Sequence, residues 1–309
     1  MRYEAEGVCC VELTPLASDA SLVPFTAGAH IDLHLPGGPV RSYSLLNSQG
    51  DVSRYVIGVH LHPASRGGSR HVHAAMRPGD VITIAGPRNH FKLAEDAAHS
   101  VFIAGGIGIT PLLSMMRRLN ELQRPWELHY AARTHMQAGF LDEVRELSAG
   151  GDGRVTIALD GEPGGTMLDL AQIVLQAPQQ AHLYCCGPVG MLIAFEGATA
   201  GVPPGQVHTE YFAPILKADT AGGFEVRCAR SGKAVRVFPG QTILHALLDQ
   251  GVQISYACEE GICGTCEVAV LEGTPDHRDS VLTLHEKVAG KTMIVCCSGA
   301  KSEVLVLDL

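Results

Sequence analysis

The chain has 309 residues, of which 46% are hydrophobic, and a formal net charge of −9 at pH 7. That length exceeds one ordinary core and predicts two or three domains, while the negative charge argues against a nucleic-acid partner and no run of about 18 apolar residues is present to cross a membrane. The opening MRYEAEGVCC lacks the apolar stretch of a secretion signal, and six of the ten cysteines stand in the adjacent pairs Cys9-Cys10, Cys185-Cys186 and Cys296-Cys297, poorly placed for disulfides, so the cytoplasm is the expected compartment.

Residues 1–96 read as all-β. The runs from His30 and from Tyr55 are short and alternating, and Pro36-Gly37-Gly38, Gly50-Asp51 and Pro78-Gly79-Asp80 mark turns between such strands. Short strands at this spacing predict a small antiparallel barrel. Within it, Arg41-Ser42-Tyr43-Ser44 puts an arginine and an aromatic at alternate positions, on one face of a strand. A guanidinium suits a phosphate, a tyrosine can pack on a ring, and a serine can bond a ring nitrogen. The alternative is a solvated face. Arg66-Gly67-Gly68-Ser69 adds a second phosphate-type loop of flexible backbone donors and a hydroxyl. His60/His62 and His71/His73 lie at strand period two and read as solvated faces, not ligand pairs.

Near Ser100 the pattern changes. Val101-Phe-Ile-Ala is a continuous apolar run, as a buried parallel strand requires, and Leu112 to Leu122 has helical periodicity. Further strands from Trp126, Arg154 and His182 alternate with helices at Leu141–Leu147 and Leu168–Gln176, predicting a doubly wound α/β domain over 97–213. Gly105-Gly106-Ile-Gly108-Ile-Thr110-Pro111 falls between the first strand and its helix, where backbone N–H groups can face a pyrophosphate and a proline fits the first turn. It does not match G-x-G-x-x-G, and a purely structural turn is the alternative. Cys186-Gly187-Pro188 follows a later strand, and two such turns at the carboxyl ends of parallel strands lie where these sheets bind ligands. Cys186 is either a small buried residue or a nicotinamide contact.

A linker over 214–223 leads to a third block, 224–309. Strands from Phe224 and Ala234 form a hairpin through Ser231-Gly232-Lys233, and a helix follows with Gln241 or Thr242 as its cap. Then comes Cys258-Glu259-Glu260-Gly261-Ile262-Cys263-Gly264-Thr265-Cys266, with Cys296 farther on. This C-x4-C-x2-C…C spacing is that of a plant-type [2Fe–2S] cluster. Zinc is the alternative for four cysteines, but its structural sites use paired knuckles. Gly261 and Gly264 leave backbone N–H groups free to point at the sulfurs.

In this order the motifs resemble the ferredoxin–NADP reductase superfamily, and more closely the phthalate dioxygenase reductase family, which includes the vanillate demethylase reductases. The likeness covers almost the whole chain. It implies an FMN-binding β-barrel, an NADH-binding α/β domain and a C-terminal β-grasp ferredoxin, with electrons passing to a terminal Rieske-type oxygenase in aromatic catabolism. By that resemblance Arg41 and the Arg66–Ser69 loop hold the FMN phosphate, and Tyr43 and Ser44 flank the isoalloxazine. Gly105, Gly106, Gly108, Thr110 and Pro111 line the NADH site, with Cys186, Gly187 and Pro188 opposite. Ser44, Thr110 and Cys186 are the expected catalytic contacts, and Cys258, Cys263, Cys266 and Cys296 the iron ligands. His208-Thr-Glu210-Tyr-Phe212 matches a segment joining the last two domains, in which Phe212 is either a flavin contact or a packed linker aromatic. Cys297 and Gly299 depart from the commoner family residues after the fourth cysteine.

Electron counting supports the same order. NADH gives up two electrons together and a [2Fe–2S] cluster takes one at a time, so a flavin must stand between them. The turn after the second α/β strand, Arg133-Thr134-His135, carries one arginine, too few for a 2′-phosphate, which favours NADH. The competing functions are an FAD-dependent reductase of the same superfamily and a redox-sensing electron carrier. A monomer is expected.

Overall fold

In the computed structural model the chain forms two compact units, Met1–Glu210 and Tyr211–Leu309. The structure describes every residue of 1–309 except Ser18, Asp19, Ala64 and Arg66.

The first unit begins with six strands: β1 (Arg2–Ala5), β2 (Val8–Leu13), β3 (His30–His34), β4 (Val40–Ser44), β5 (Tyr55–His60) and β6 (Thr83–Arg88). They make two three-stranded antiparallel sheets, β1-β2-β5 and β4-β3-β6, bridged at Leu45 and Ile57. Alternation explains the closure. Val11, Ile31, Leu33, Leu45, Ile57 and Val59 turn inward and pack as one core, each losing its apolar surface to water-free contact. Asp32, between Ile31 and Leu33, points to the other face, where it accepts a 2.6 Å bond from the Ser42 hydroxyl and pairs with the Arg88 guanidinium.

One segment departs from the all-β expectation. Gly68–Ala74 is a helix, α1, and His71 and His73 therefore stand on a helix and not at strand period. Val72 and Met76, one turn apart, seat it on the barrel core, and the His73 Nε2 lies 2.9 Å from the Val59 carbonyl oxygen. Seven residues are too few for a 3.6-residue period to show in the sequence.

The same unit continues as β7 (Ser100–Gly105), α2 (Ile109–Glu121), β8 (Trp126–Ala132), α3 (Leu141–Ala149), β9 (Gly153–Leu159), α4 (Leu170–Gln176), β10 (His182–Cys186), α5 (Val189–Ala198) and β11 (Val207–Glu210). The strands form one parallel sheet in the order β11-β10-β7-β8-β9. The chain winds first one way from β7 and then the other, so the strand order reverses between β7 and β10. Helix α2 packs on α3 and α4 on α5. Central strand β7 is buried along its whole length, as a strand covered on both faces must be. Barrel and sheet share a core, in which Val8, Cys10 and Leu46 meet Phe102, Ile109 and Phe140.

The second unit holds β12 (Glu225–Cys228), β13 (Ala234–Arg236), α6 (Ile243–Asp249), β14 (Glu267–Glu272), β15 (Pro275–Asp276), α7 (Leu284–Ala289), β16 (Thr292–Ile294), β17 (Gly299–Ala300) and β18 (Val304–Leu307). Five strands form a mixed sheet in the order β13-β12-β18-β14-β16, parallel only between β12 and β18. Ile243, Leu244 and Leu247 of α6 pack on Val226, Val235 and Leu305 of that sheet, the grasp of a helix by a sheet that defines a β-grasp domain. The cap of α6 is Thr242, whose hydroxyl accepts the His245 N–H at 3.3 Å.

Candidate active site and metal centre

The two glycine turns meet. Gly105 ends β7, and a Cβ there would lie 2.5 Å from the Pro188 Cδ; on Gly108 it would lie 2.1 Å from the Cys186 carbonyl oxygen. These two glycines are needed because the other turn occupies the space. Gly106 differs: its φ is +52° and nothing stands within 4 Å of its Cβ position. It is the loop's open face, at the N-terminal end of α2, whose first turn carries no acidic residue. An anion suits such a place. The Thr110 hydroxyl is committed to the Ile107 carbonyl at 3.0 Å, so it closes the turn. Pro111 lies buried in the first turn of α2, and Pro188 caps α5.

Ser44, Cys186 and Glu210 converge. Cys186 and Glu210 are the paired last residues of β10 and β11, with Sγ 4.0 Å from Oε2. Ser44 ends barrel strand β4, and its side chain hydrogen-bonds the same carboxyl group. Burial pushes the Glu210 carboxyl up to about 8, against the opposing effect of the Ser44 bond. Burial likewise raises the Cys186 thiol, with the Glu210 charge adding to it. At neutral pH this is a protonated acid beside a neutral thiol and a hydroxyl, a set able to hold and hand on a proton. Glu210 was read from sequence only as part of a connecting segment. Its signal was an acidic residue closing a strand at the carboxyl edge of a parallel sheet.

On β4, Arg41 and Tyr43 lie opposite Leu33 and Ile31 of β3. Tyr43 packs on the barrel core, and burial drives its phenol up to about 12 while Arg41 opposes the shift. Arg41 lies along Gly68, where a Cβ would stand 2.6 Å from its Cγ. The structure therefore brings Arg41 to the loop named with it. Gly67 precedes α1 with open space at its Cβ position, and the Ser69 hydroxyl bonds that of Ser65 at 3.0 Å. Arg66 lies outside the described residues. Phe212 is 38% exposed and belongs to the second unit.

In the second unit Cys258, Cys263, Cys266 and Cys296 are all buried, none more than 6% exposed. Their sulfurs are in reach of one another as a chain, Cys263 to Cys258, Cys258 to Cys296, Cys296 to Cys266. No three His, Cys, Asp or Glu side chains among the described residues are set to hold a single metal ion. Four buried thiols at this spacing suit the two irons of a cluster better than one zinc. The loop is shaped for donors to sulfur. Glu259, Gly261 and Gly264 all have left-handed φ, +56°, +71° and +71°, and the Glu260 N–H reaches the Cys258 Sγ at 3.3 Å. The Thr265 hydroxyl lies 3.2 Å from the Cys263 Sγ. The Ile262 N–H joins the Glu260 N–H as a donor to the Cys258 sulfur, and such donors favour the thiolate that iron requires.

An anion-ready turn on a parallel sheet, an arginine–tyrosine–serine strand on a barrel and a buried four-thiol loop define a pyridine-nucleotide-linked iron–sulfur oxidoreductase. Residues 102–196 match the family model described as an oxidoreductase NAD-binding domain, and 226–301 match the 2Fe-2S iron-sulfur cluster binding domain. The chain is 53% identical over 307 residues to a phenoxybenzoate dioxygenase subunit beta of Ectopseudomonas oleovorans, covering 99% of this chain and 94% of that protein. It matches the solved structure of a phthalate dioxygenase reductase at 36% identity and a TM-score of 0.71, over 99% of this chain and 95% of the other. All of it also matches an intact type IV self-sufficient cytochrome P450 monooxygenase at 38% identity and a TM-score of 0.89, while spanning 40% of that longer protein. The chain belongs to the phthalate dioxygenase reductase-like family of oxygenase reductase components.

Proposed function

We propose that this reductase binds FMN in its barrel, takes electrons from NADH and delivers them through a [2Fe–2S] cluster to a terminal Rieske-type oxygenase. The convergence of Ser44, Cys186 and Glu210 carries the reading, because it joins the barrel strand to the nucleotide-binding edge of the sheet. Bound FMN supplies the step from a two-electron donor to a one-electron carrier. The chain's own residues do the positioning. Arg41, with the loop that ends at Ser69, neutralises the FMN phosphate, Tyr43 supports the ring system, and Ser44 presents its hydroxyl to it. The open space at Gly67 leaves room for a phosphate oxygen. Gly106 and the first turn of α2 receive the NADH pyrophosphate, and Cys186-Gly187-Pro188 borders the nicotinamide. Cys258, Cys263, Cys266 and Cys296 hold the cluster.

The working boundaries are a barrel over 1–96, an α/β domain over 97–213, a linker over 214–223 and a ferredoxin domain over 224–309. No helix among the described residues is long and apolar enough to cross a membrane, and a cytoplasmic monomer is the proposed form. The test is direct. Flavin released from the purified protein should run as FMN, and anaerobic NADH should bleach both flavin and iron–sulfur absorbance. Oxygenases encoded beside the gene should then consume NADH only when this chain is present. Flavin absorbance unchanged by NADH rules the function out.

A further inference from the structure

The four ligand thiols are not alone in their pocket. Cys297 is 1% exposed, and its sulfur faces the cluster loop so closely that a Cβ on Gly261 would lie 2.4 Å from it. Its backbone is pinned on both sides. Its carbonyl accepts the Asp219 N–H at 2.7 Å, and the Ser298 N–H bonds the Ile294 carbonyl at 3.1 Å. The thiol has three partners in reach: the Ile294 carbonyl at 3.8 Å, the Ser298 hydroxyl at 3.9 Å and the side chain of the neighbouring ligand Cys296.

We propose that Cys297 is a positioning residue for the cluster, a fifth thiol that does not ligate iron but backs Gly261 and donates its S–H to the Cys296 sulfur, raising the reduction potential. The inference rests on the reading that the other four cysteines hold the cluster. The physical reason is differential bonding. A thiolate ligand gains electron density when the cluster is reduced, so a donor aimed at it bonds more strongly in the reduced state and favours that state. Gly261 shares the device, because only a residue without a side chain admits the sulfur at that distance.

The test compares the full-length holoprotein with Cys297→Ala and Cys297→Ser, measuring iron and sulfide content, midpoint potential by dye equilibration and thermal midpoint. Both variants should bind wild-type amounts of iron and sulfide. In Cys297→Ala the reduced-to-oxidised ratio at fixed poise should fall about tenfold, a shift of about 59 mV for one electron. Cys297→Ser, which keeps a donor, should hold the wild-type potential or exceed it. Equal potentials in all three proteins, with only the thermal midpoint of the alanine variant lowered, would reduce Cys297 to a space-filling role and overturn the proposal. Loss of iron from Cys297→Ser would make it a ligand and overturn it too. A wild-type protein without iron and sulfide would instead remove the cluster reading on which the proposal stands.

Discussion

Gly261 and Cys297 cannot both carry a side chain of ordinary reach: the Cβ position of the first lies 2.4 Å from the sulfur of the second and 3.2 Å from the Cα of Asp279. The cluster loop is thus pressed against two segments at once, and the Ser280 N–H holds it there through the Gly261 carbonyl at 2.9 Å.

Gly261→Ala should therefore destabilise the second unit by about 2–4 kcal/mol, combining a left-handed φ of +71° with overpacking. Adding Cys297→Ala removes the sulfur but not the backbone strain, so it should restore part of that loss. Thermal unfolding and iron content of the two single variants and the double variant measure the coupling. Additive losses would mean that the contact has no energetic weight.

Glu210 makes stability depend on pH. Its folded pKa, about 8, stands above the ordinary 4.5, so the folded chain binds more protons than the unfolded one between those values. The contribution is present below about 4.5 and is lost as pH rises through about 8. Glu210→Gln keeps the shape and the bond to Ser44 without a titrating proton, and should flatten this slope in thermal melts of the apoprotein from pH 5 to 8.5. An unchanged slope assigns the effect to other groups.

Nucleotide preference should follow charge at the ends of β8 and β9. Arg133, 77% exposed, lies 3.9 Å from Asp160, and Glu162 accepts the His135 N–H at 2.7 Å. A 2′-phosphate brought here would meet two carboxylates and one cation. NADH should be preferred, and Asp160→Asn should narrow the kcat/KM ratio of NADH to NADPH by about fivefold, the worth of about 1 kcal/mol for one charge in water. A wild-type ratio near unity refutes the preference.

The cluster loop also carries exposed charge. Glu259 is paired with His245 of α6 at 3.0 Å, and Glu260 follows it. Reversing both charges should slow reduction of a basic oxygenase surface by about threefold to tenfold at low salt, with the difference shrinking as salt rises. Ferricyanide serves as the reference acceptor, and equal slowing toward both acceptors excludes a docking role.

What could be read in the chain was what lies close together along it. The three cysteines of the 258–266 loop, the glycine turn at 105–108 and the Arg41–Ser44 strand each place their chemistry within a few residues, where backbone geometry alone sets the relation between side chains. The alternation of strand and helix periods likewise announced the parallel sheet. Helix α1 escaped notice because it is one buried pair long. Ser44, Cys186 and Glu210 had no common signal, for they sit on three strands and meet only when β4 closes the barrel and β10 pairs with β11. The sequence by itself determined where the cofactor-binding chemistry lies along the chain, since ligand spacing and turn chemistry are local. Only the tertiary structure decided which groups surround them: Glu210's raised pKa and the contact of Cys297 with Gly261 come from burial and close packing between segments remote in sequence, and neither exists until the core excludes water.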